Sequence, residues 1–189
     1  SQNTMMLQGL DPLEMSTFIL KLDSSGHFLS GSTLTATGGS ARGFDISIDP
    51  NENVFILGDF LGDLDLDLGP GLHELFSEAS SSNKDVFIAK YNNNGLFLWG
   101  GAFQGVGQVD AYVLNSHQSG AVYAAGKYSD SLDLGIGVDY ALGANGTWLV
   151  KINNDSCSVS IRFDSLRHST CLDSAFVSVH GEGGESPYS

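Results

Sequence analysis

The sequence predicts an all-β protein built from repeated sets of four short antiparallel strands. Among its 189 residues, 24 are glycine and only 4 are proline, and valine, isoleucine, phenylalanine and tyrosine occur in short runs between polar turns. Such runs are typical of strands, whereas an amphipathic helix needs apolar residues spaced three and four apart. A third observation, an internal repeat, indicates how the strands are grouped.

The internal repeat occurs twice in full. The segment FILKLDSSGHFLSG at 18–31 matches FIAKYNNNGLFLWG at 87–100 at an offset of 69, with seven of fourteen residues identical. The segment VFILGDFLGDLDL matches VYAAGKYSDSLDL at an offset of 68, with five of thirteen residues identical, and a third copy begins at Trp148 with WLVKINND. We therefore expect units at about 17–68 and 85–136 and a third copy starting at 146.

Each unit is predicted to contain two hairpins. Residues 87–91 form a strand, the asparagine-rich and glycine-containing residues 92–95 turn the chain, and residues 96–99 return. In the other hairpin, apolar and polar residues alternate over 44–48, residues 49–53 form the turn, and an almost continuous apolar strand follows. Sheets that are apolar on both faces need neighbouring sheets on both sides, as the blades of a β-propeller have. The predicted fold is an incomplete β-propeller of about two four-stranded antiparallel blades plus a partial blade.

The repeat also resembles a known family. The stretch DVFIAKYNNNGLFLW and the stretch GFDISIDPNENVFILGDF are similar to the bacterial SBBP β-propeller repeat, over residues 17–154. Closed propellers need about four to eight blades, so two units and a fragment do not close a ring. The chain also opens with Ser1 instead of Met. We expect a piece of a longer protein that supplies further blades, with association of copies or an open stack of two sheets as the alternatives.

The last part of the chain has a different pattern. Residues at 171, 173, 175, 177 and 179 alternate as C-x-D-x-A-x-V-x-V, and glycines followed by Pro187 and Tyr188 come next. This pattern resembles the first half of the short repeat of the gliding-motility adhesin SprB. The predicted domains are therefore a propeller repeat region at 1–155 and the start of a SprB-like, Ig-like β module at 156–189. The resemblance implies a large bacterial cell-surface or secreted protein, exported by type IX secretion.

The charge balance excludes some partner classes. The 22 acidic and 8 basic residues give a formal net charge of −14. Binding to a phosphate backbone needs lysine and arginine, and anionic membrane surfaces repel a protein of this sign. There is also no run of about 18 apolar residues that would insert into a membrane. We expect neither nucleic-acid binding nor membrane insertion.

Three aspartates form a candidate calcium site. Asp63, Asp65 and Asp67 have the spacing of carboxylates in calcium loops, and Ca²⁺ takes about six to eight oxygen ligands. However, the glycine of such a loop is misplaced, and Leu64 and Leu66 have the pattern of a buried strand face. The second unit keeps only one of the three carboxylates. A solvated strand face is the favoured interpretation, with Ca²⁺ as the alternative and no other cofactor.

The two cysteines and one repeated lysine are further candidates. Cys157 and Cys171 are the only cysteines, and they would either pair across a short loop in an oxidising compartment or remain inert thiols. Lys21, Lys90 and Lys151 occupy one repeat position. They would form a ring of cations on a propeller face, or, as we favour, each would reach a nearby carboxylate while its stem packs on apolar surface.

No catalytic constellation is visible. The five histidines share neither a repeat position nor a metal-ligand spacing: His27, His73, His117, His168 and His180. The sequence also contains no Gly-x-Ser-x-Gly elbow, which a nucleophilic serine would need. Aromatic residues on the predicted strands are expected in the core, although sugar-binding propellers expose such residues (Trp99, Phe103, Tyr123, Tyr128 and Trp148). The sequence thus gives no residues for nucleophilic or metal-dependent catalysis.

The combined expectation is a non-catalytic extracellular structural or adhesive module. Rigid blades would present loops to a surface glycan or a protein partner, and the acidic surface would keep a large exported protein soluble. One alternative is a propeller-based hydrolase or lyase whose active site lies in blades absent from this chain. The other alternative is a calcium-stabilised adhesin.

Overall fold

The computed structural model describes residues 15–77, 83–133 and 145–152, and the backbone of 160–162 and 174–180. These residues form strands, turns and bends, with no helix among them. The all-β prediction is confirmed, in the form of several open and mainly antiparallel sheets. In the described part, no helix is long and apolar enough to cross a membrane. Cys157 and Cys171 lie outside the described residues.

Twelve strands are present in the described ranges. In chain order they are β1 Thr17–Leu22, β2 Phe28–Leu34, β3 Ala36–Ile48, β4 Val54–Asp65, β5 Glu74–Ser77, β6 Asp85–Tyr91, β7 Phe97–Phe103, β8 Val109–Ser116, β9 Val122–Ser129, β10 Asn145–Ile152, β11 Ser160–Arg162 and β12 Ser174–His180.

The strands form three sheets. The first is the hairpin β1-β2, and the central sheet has the order β3-β4-β6-β7, with β5 beside the end of β4. The third sheet has the order β11-β12-β10-β9-β8. Both hairpins predicted for the first unit, β1-β2 and β3-β4, are present, but they lie in different sheets. The central sheet joins β3-β4 to β6-β7, the first hairpin of the next unit, so the predicted units at 17–68 and 85–136 are not single four-stranded sheets. Strand β5 is an addition that the sequence did not indicate. In the third sheet, β12 pairs with β10 in parallel, so part of the predicted C-terminal module lies beside the third copy of the repeat.

The sequence repeat is also a repeat of backbone register. In β1-β2, Phe18 lies opposite Thr33, and in β6-β7, Phe87 lies opposite Ala102, with each pair offset by 69. Both hairpins have an irregularity at the same point, after the repeated lysine. The turn glycine that follows has a positive φ in both, because glycine alone adopts this conformation without a steric penalty.

The turns of the repeat are closed by one polar side chain each. Asp23 accepts the backbone N–H groups of Ser25 and His27, and Asn92 accepts those of Asn94 and Leu96. A side chain that replaces a backbone acceptor in this way is typical of Asx turns.

The other hairpin of the repeat uses the same device with different residues. In the β3-β4 turn, Asp49 accepts the N–H groups of Asn51 and Asn53. In the β8-β9 turn, His117 stands at the equivalent position, and its Nδ1 accepts the N–H of Ser119 at 3.1 Å. His117 is therefore a turn residue, and its ring nitrogen accepts a backbone N–H as the Asp49 carboxylate does in the β3-β4 turn.

The two middle strands of the central sheet, β4 and β6, are buried on both faces. One face contributes Phe55, Leu57, Val86 and Ile88 to a core shared with the third sheet. The opposite face contributes Ile56, Phe60, Phe87, Ala89 and Tyr91 to a second core, against which Ile19 of β1 packs. Alternate residues of β4 and β6 thus point into different cores, which explains why these strands read as nearly continuous apolar runs.

Hydrogen bonds also join β3 to β8, the first strands of successive sheets. Asp45 accepts the backbone N–H of Leu114 at 2.7 Å, and Ser47 accepts the N–H of Ser116 at 2.9 Å. The Ser116 hydroxyl donates to the carbonyl of Ile48 at 2.6 Å. These bonds fix how far one sheet slides along the next, which apolar contacts alone do not do, because they have no direction.

A glycine lies opposite an aromatic residue in both large sheets. Gly58 of β4 pairs with Phe87 of β6, and Gly126 of β9 pairs with Trp148 of β10. A Cβ on Gly58 would lie 2.5 Å from the Phe87 ring, and one on Gly126 would lie 2.6 Å from the Trp148 ring. We call these the aromatic–glycine pairs. Each ring covers the bare backbone of its glycine, and so both glycines are required by close approach.

We predict that Gly58→Ala and Gly126→Ala each lower the free energy of unfolding by about 2 to 4 kcal/mol. The added methyl group would also lie 2.2 Å from the Arg42 carbonyl in one case and 1.9 Å from the Asp110 carbonyl in the other. Denaturant titration followed by circular dichroism measures the effect. The control is Gly101→Ala in the same sheet as Gly58, where a Cβ meets nothing within 4 Å. A loss of stability at Gly101 equal to that at Gly58 would contradict the steric explanation.

Candidate functional site

A groove lies between the β1-β2 hairpin and the central sheet. Its volume is about 460 Å³, and most of its lining is apolar. Leu20 and Ile19 form one wall, and Ile46, Ile48 and Val54 form part of the other. Ile46 and Ile48 point to the same face of the sheet as Ile56 and Val54, their cross-strand partners. The groove exists because the two-stranded hairpin covers only part of that face.

One end of the groove is polar. The Lys21 ammonium donates to the backbone carbonyl of Asn93 at 2.6 Å, and the Asn93 amide donates to the Glu52 carboxylate. These three residues tie the hairpin to the turns of the central sheet. Polar groups at one end of an apolar cleft orient a bound chain or ligand, whereas the apolar walls supply the contact area.

The repeated lysine has a different environment in each copy. Lys90 is buried, with its Nζ 3.9 Å from Asp49 Oδ2 and 5.1 Å from the centroid of the Phe55 ring. Lys151 lies over the Tyr123 ring at 5.8 Å, and Tyr123 occupies the repeat position of Phe55. The lysine stem packed on apolar surface, which we favoured from the sequence, is found for Lys90. The cation–aromatic contact recurs, and Lys90 also lies beside the Asp49 carboxylate, whose position is occupied by His117 in the next unit.

Asp49 is held as a carboxylate inside the protein. Its side chain is fully buried, and burial opposes ionisation. The side-chain amide and backbone N–H of Asn53, the N–H of Asn51 and the charge of Lys90 outweigh that effect, so the pKa of the Asp49 carboxyl lies below its usual value. Burial combined with this pKa makes Asp49 a stability element that depends on pH.

A cross-strand ion pair occurs at one repeat position with its charges exchanged. Arg42 on β3 lies opposite Asp59 on β4 and binds it with two guanidinium nitrogens, and Lys84 also contacts Asp59, at 3.5 Å. In the third sheet, Asp110 occupies the position of Arg42 and contacts Lys127 at 3.4 Å. The hydrogen bond with Asp59 raises the pKa of Arg42. Such pairs favour one strand register.

The three candidate calcium ligands lie at the end of β4 and in the turn beyond it. Asp63 is exposed, whereas Asp65 accepts the N–H groups of Asp67 and His73 at 2.9 Å, and Asp67 accepts that of Gly69 at 2.7 Å. Leu64 and Leu66 are fully buried, as the strand-face interpretation requires. Over the described ranges, no three side chains of the His, Cys, Asp and Glu types come together as metal ligands. The carboxylates of Asp65 and Asp67 support the turn, and a calcium role stays a prediction.

The other candidates are spread over the structure. The His27 ring lies 3.0 Å from Asp23 in the exposed β1-β2 turn, and the His73 ring packs on Phe97 with centroids 4.6 Å apart. The predicted core position is confirmed for Phe103, Tyr128 and Trp148, which are buried. Trp99 is half-buried and packs against the same core. The side chains of His168 and His180 lie outside the described residues.

No family model and no curated protein matches this chain. The SBBP and SprB resemblances therefore stay predictions, and the fold that is shown is an all-β arrangement of open sheets. The groove was not predicted from the sequence. Its signal was present, because Leu20, Ile46 and Ile48 are apolar residues of strands that the sequence placed at the start of the repeat.

We predict that Asp49→Asn destabilises the protein by about 1 to 3 kcal/mol at neutral pH, since the amide lacks the charge that offsets Lys90. The folded pKa of Asp49 lies below its unfolded value of about 3.9, so its contribution is present above that pH and is lost as the pH falls through the folded pKa. The stability gap between the wild type and Asp49→Asn should therefore shrink below about pH 4. Urea unfolding from pH 7 to pH 3 measures this gap.

Asp63→Asn, at an exposed carboxylate of the same sheet, is the matched control and should change stability little at any pH. A gap between wild type and Asp49→Asn that stays constant down to pH 3 would show that Asp49 does not act through its charge.

Proposed function

We propose that this chain is a non-catalytic extracellular module of a large bacterial surface or secreted protein, in which stacked β-sheets hold loops for binding a glycan or a protein partner. The observation that carries the proposal is the recurrence of the same packing in successive sheets. The aromatic–glycine pairs, the polar turns and the two cores all repeat at offsets of 61 to 69 residues. Repetition of structural contacts without a repeated reactive group favours a scaffold over a catalyst.

The connections between strands provide the variable part of the scaffold. The segment after β4 covers residues 66–84 and includes β5, whereas the equivalent segment after β9 covers residues 130–144. Both follow the second strand of a sheet, so they leave from the same end of their sheets. Rigid sheets with connections of different length at one end are suited to recognition, because the loops can vary without disturbing the cores.

The charge of the chain is consistent with such a role. A net charge of −14 disfavours nucleic acid and anionic membrane surfaces, and it keeps a large exported protein soluble. Among the described residues, the buried charged side chains make structural contacts. Asp49 closes a turn beside Lys90, Asp59 joins Arg42 and Lys84, and Asp85 accepts the hydroxyl of Ser77. These contacts support a structural use of the buried charges.

We predict that the purified chain binds a defined set of surface glycans or envelope proteins with a Kd of roughly 1 μM to 1 mM, and that it shows no turnover of glycoside or ester substrates. Glycan arrays and biolayer interferometry on envelope fractions measure binding, and chromogenic substrate panels measure turnover. Replacement of residues 68–72 with a Gly-Ser segment of equal length should weaken binding at least about tenfold, which corresponds to 1.4 kcal/mol.

The matched control is Leu98→Ser on the exposed face of β7, outside the connections, which should leave binding unchanged. Turnover of any substrate by the folded chain would contradict the non-catalytic assignment. Absence of binding, or binding that is insensitive to the loop replacement, would contradict loop display.

A further inference from the structure

The β1-β2 hairpin has an edge that is paired in its two counterparts. Strand β6, the repeat counterpart of β1, pairs with β4 on one side and β7 on the other. Strand β10, the third counterpart, lies between β9 and β12. Within the described residues, β1 pairs only with β2. Strand β6 pairs with β4 along one edge. Within the described residues, no strand pairs with the corresponding edge of β1.

The apolar side chains of β1 are exposed where their counterparts are buried. Phe18 is 64% exposed and Leu20 is 47% exposed. At the same repeat positions on β6, Phe87 and Ala89 are both 0% exposed, and on β10, Trp148 is 2% exposed. The sequence of β1 is therefore that of a fully covered strand. Exposed contiguous apolar surface of this kind marks a binding face.

The counterparts also show what covers such a strand. Phe87 and Trp148 each lie opposite a glycine of the neighbouring strand, in the aromatic–glycine pairs. The neighbouring strands share the pattern Val-x-(Ile/Ala)-x-Gly-x-(Phe/Tyr), found in VFILGDF from Val54 and in VYAAGKY from Val122. Phe18 is the third aromatic residue at this position, and within the described residues no strand places a glycine opposite it.

The central sheet has an exposed apolar residue where its counterpart in the third sheet is buried. Ile46 on β3 is 56% exposed, whereas Leu114 at the equivalent position on β8 is 4% exposed. Leu114 belongs to the core that also contains Phe55 and Leu57 of β4, and β8 contacts both β3 and β4. A β3–β4-type hairpin placed before β1 would cover Ile46 in the same way. One occupant therefore accounts for the open edge, the exposed Phe18 and the groove.

The hairpin is already placed to receive this occupant. The Thr17 hydroxyl donates to the Ala41 carbonyl and accepts the N–H of Gly43, which anchors the start of β1 on β3. One unit later, Val86 packs in one core with Val109 and Ala111, the counterparts of Ala41 and Gly43. The β1-β2 hairpin thus sits on the central sheet as β6-β7 sits on the third sheet.

We propose that the open edge of β1, from Phe18 to Leu22, binds a further hairpin of the β3–β4 type, whose second strand places a glycine opposite Phe18. The hairpin pairs antiparallel with β1 in the register that β4 has with β6. Backbone hydrogen bonds provide affinity, and the glycine opposite Phe18 provides selectivity. The reason is the geometry of the counterpart pair, in which a Cβ on Gly58 would lie 2.5 Å from the Phe87 ring. This inference rests on the stacked scaffold of the proposed function, but not on its loops.

The test is an extended chain in which a copy of residues 36–84 stands directly before Ser16, as the original copy stands before Asp85. We expect its Tm to exceed that of the original chain by at least about 5 °C. Hydrogen exchange of the β1 amides should slow by at least about 100-fold. Phe18→Ser should lower the Tm of the extended chain by several degrees and change that of the original chain little. Leu96→Ser, at a residue of similar exposure, should have equal and small effects in both chains.

A second extended chain carries Gly58→Val in the added copy only, and it should show neither the gain in Tm nor the protection of β1. If the extended chain misfolds, a synthetic peptide of residues 52–64 is added to the intact 189-residue chain, and the hydrogen exchange of β1 is measured again. We expect this peptide to protect the β1 amides and the same peptide with Gly58→Val not to protect them. Unchanged exchange in both formats overturns the proposal. Concentration-dependent dimers of the original chain that protect β1 overturn it in favour of a second copy. Loss of glycan or protein binding after the loop replacement is independent of these outcomes, so the two proposals fail separately.

Discussion

The structure depends on the burial of β4 and β6, the middle strands of the central sheet, on both faces. Strands β4 and β6 send alternate side chains into two different cores, and neither core could form without a second sheet against it. Complete burial of one large apolar side chain contributes about 1.5 to 3 kcal/mol. The central sheet carries several such residues on each face, so its stability is shared with both neighbours. Each large sheet thus supplies part of the core of its neighbour.

Directional contacts then convert this apolar stacking into one arrangement. The bonds from Leu114 and Ser116 to Asp45 and Ser47 fix the offset between the two large sheets. Within each of the two large sheets, the aromatic–glycine pair favours the observed register, because a Cβ at the glycine would collide with the ring. An ion pair recurs at the same cross-strand position in both large sheets, as Arg42–Asp59 and, with the charges exchanged, as Asp110–Lys127.

Most of the fold of the repeat could be predicted from the sequence because the two full units constrain each other. The hairpins on either side of the 49–53 and 92–95 turns were predicted with the correct pairing, since alternation and turn residues are local signals. Strand β5 was not predicted, because a four-residue strand carries too little pattern. The groove was missed for a different reason: a sequence indicates that Ile46 and Leu20 are apolar, but it does not indicate which neighbour fails to cover them.

The sequence by itself determined the repeat, its strands and its turns, because each depends on residues close together in the chain. It also determined that Lys90 and its counterparts hold one position, but not that Asp49 lies beside Lys90. Tertiary structure decided which apolar faces meet and which carboxylates accept hydrogen bonds in turns. It also decided that, among the described residues, β1 pairs only with β2. The physical reason is that burial depends on the sheet packed against a residue, and that sheet comes from a distant part of the chain.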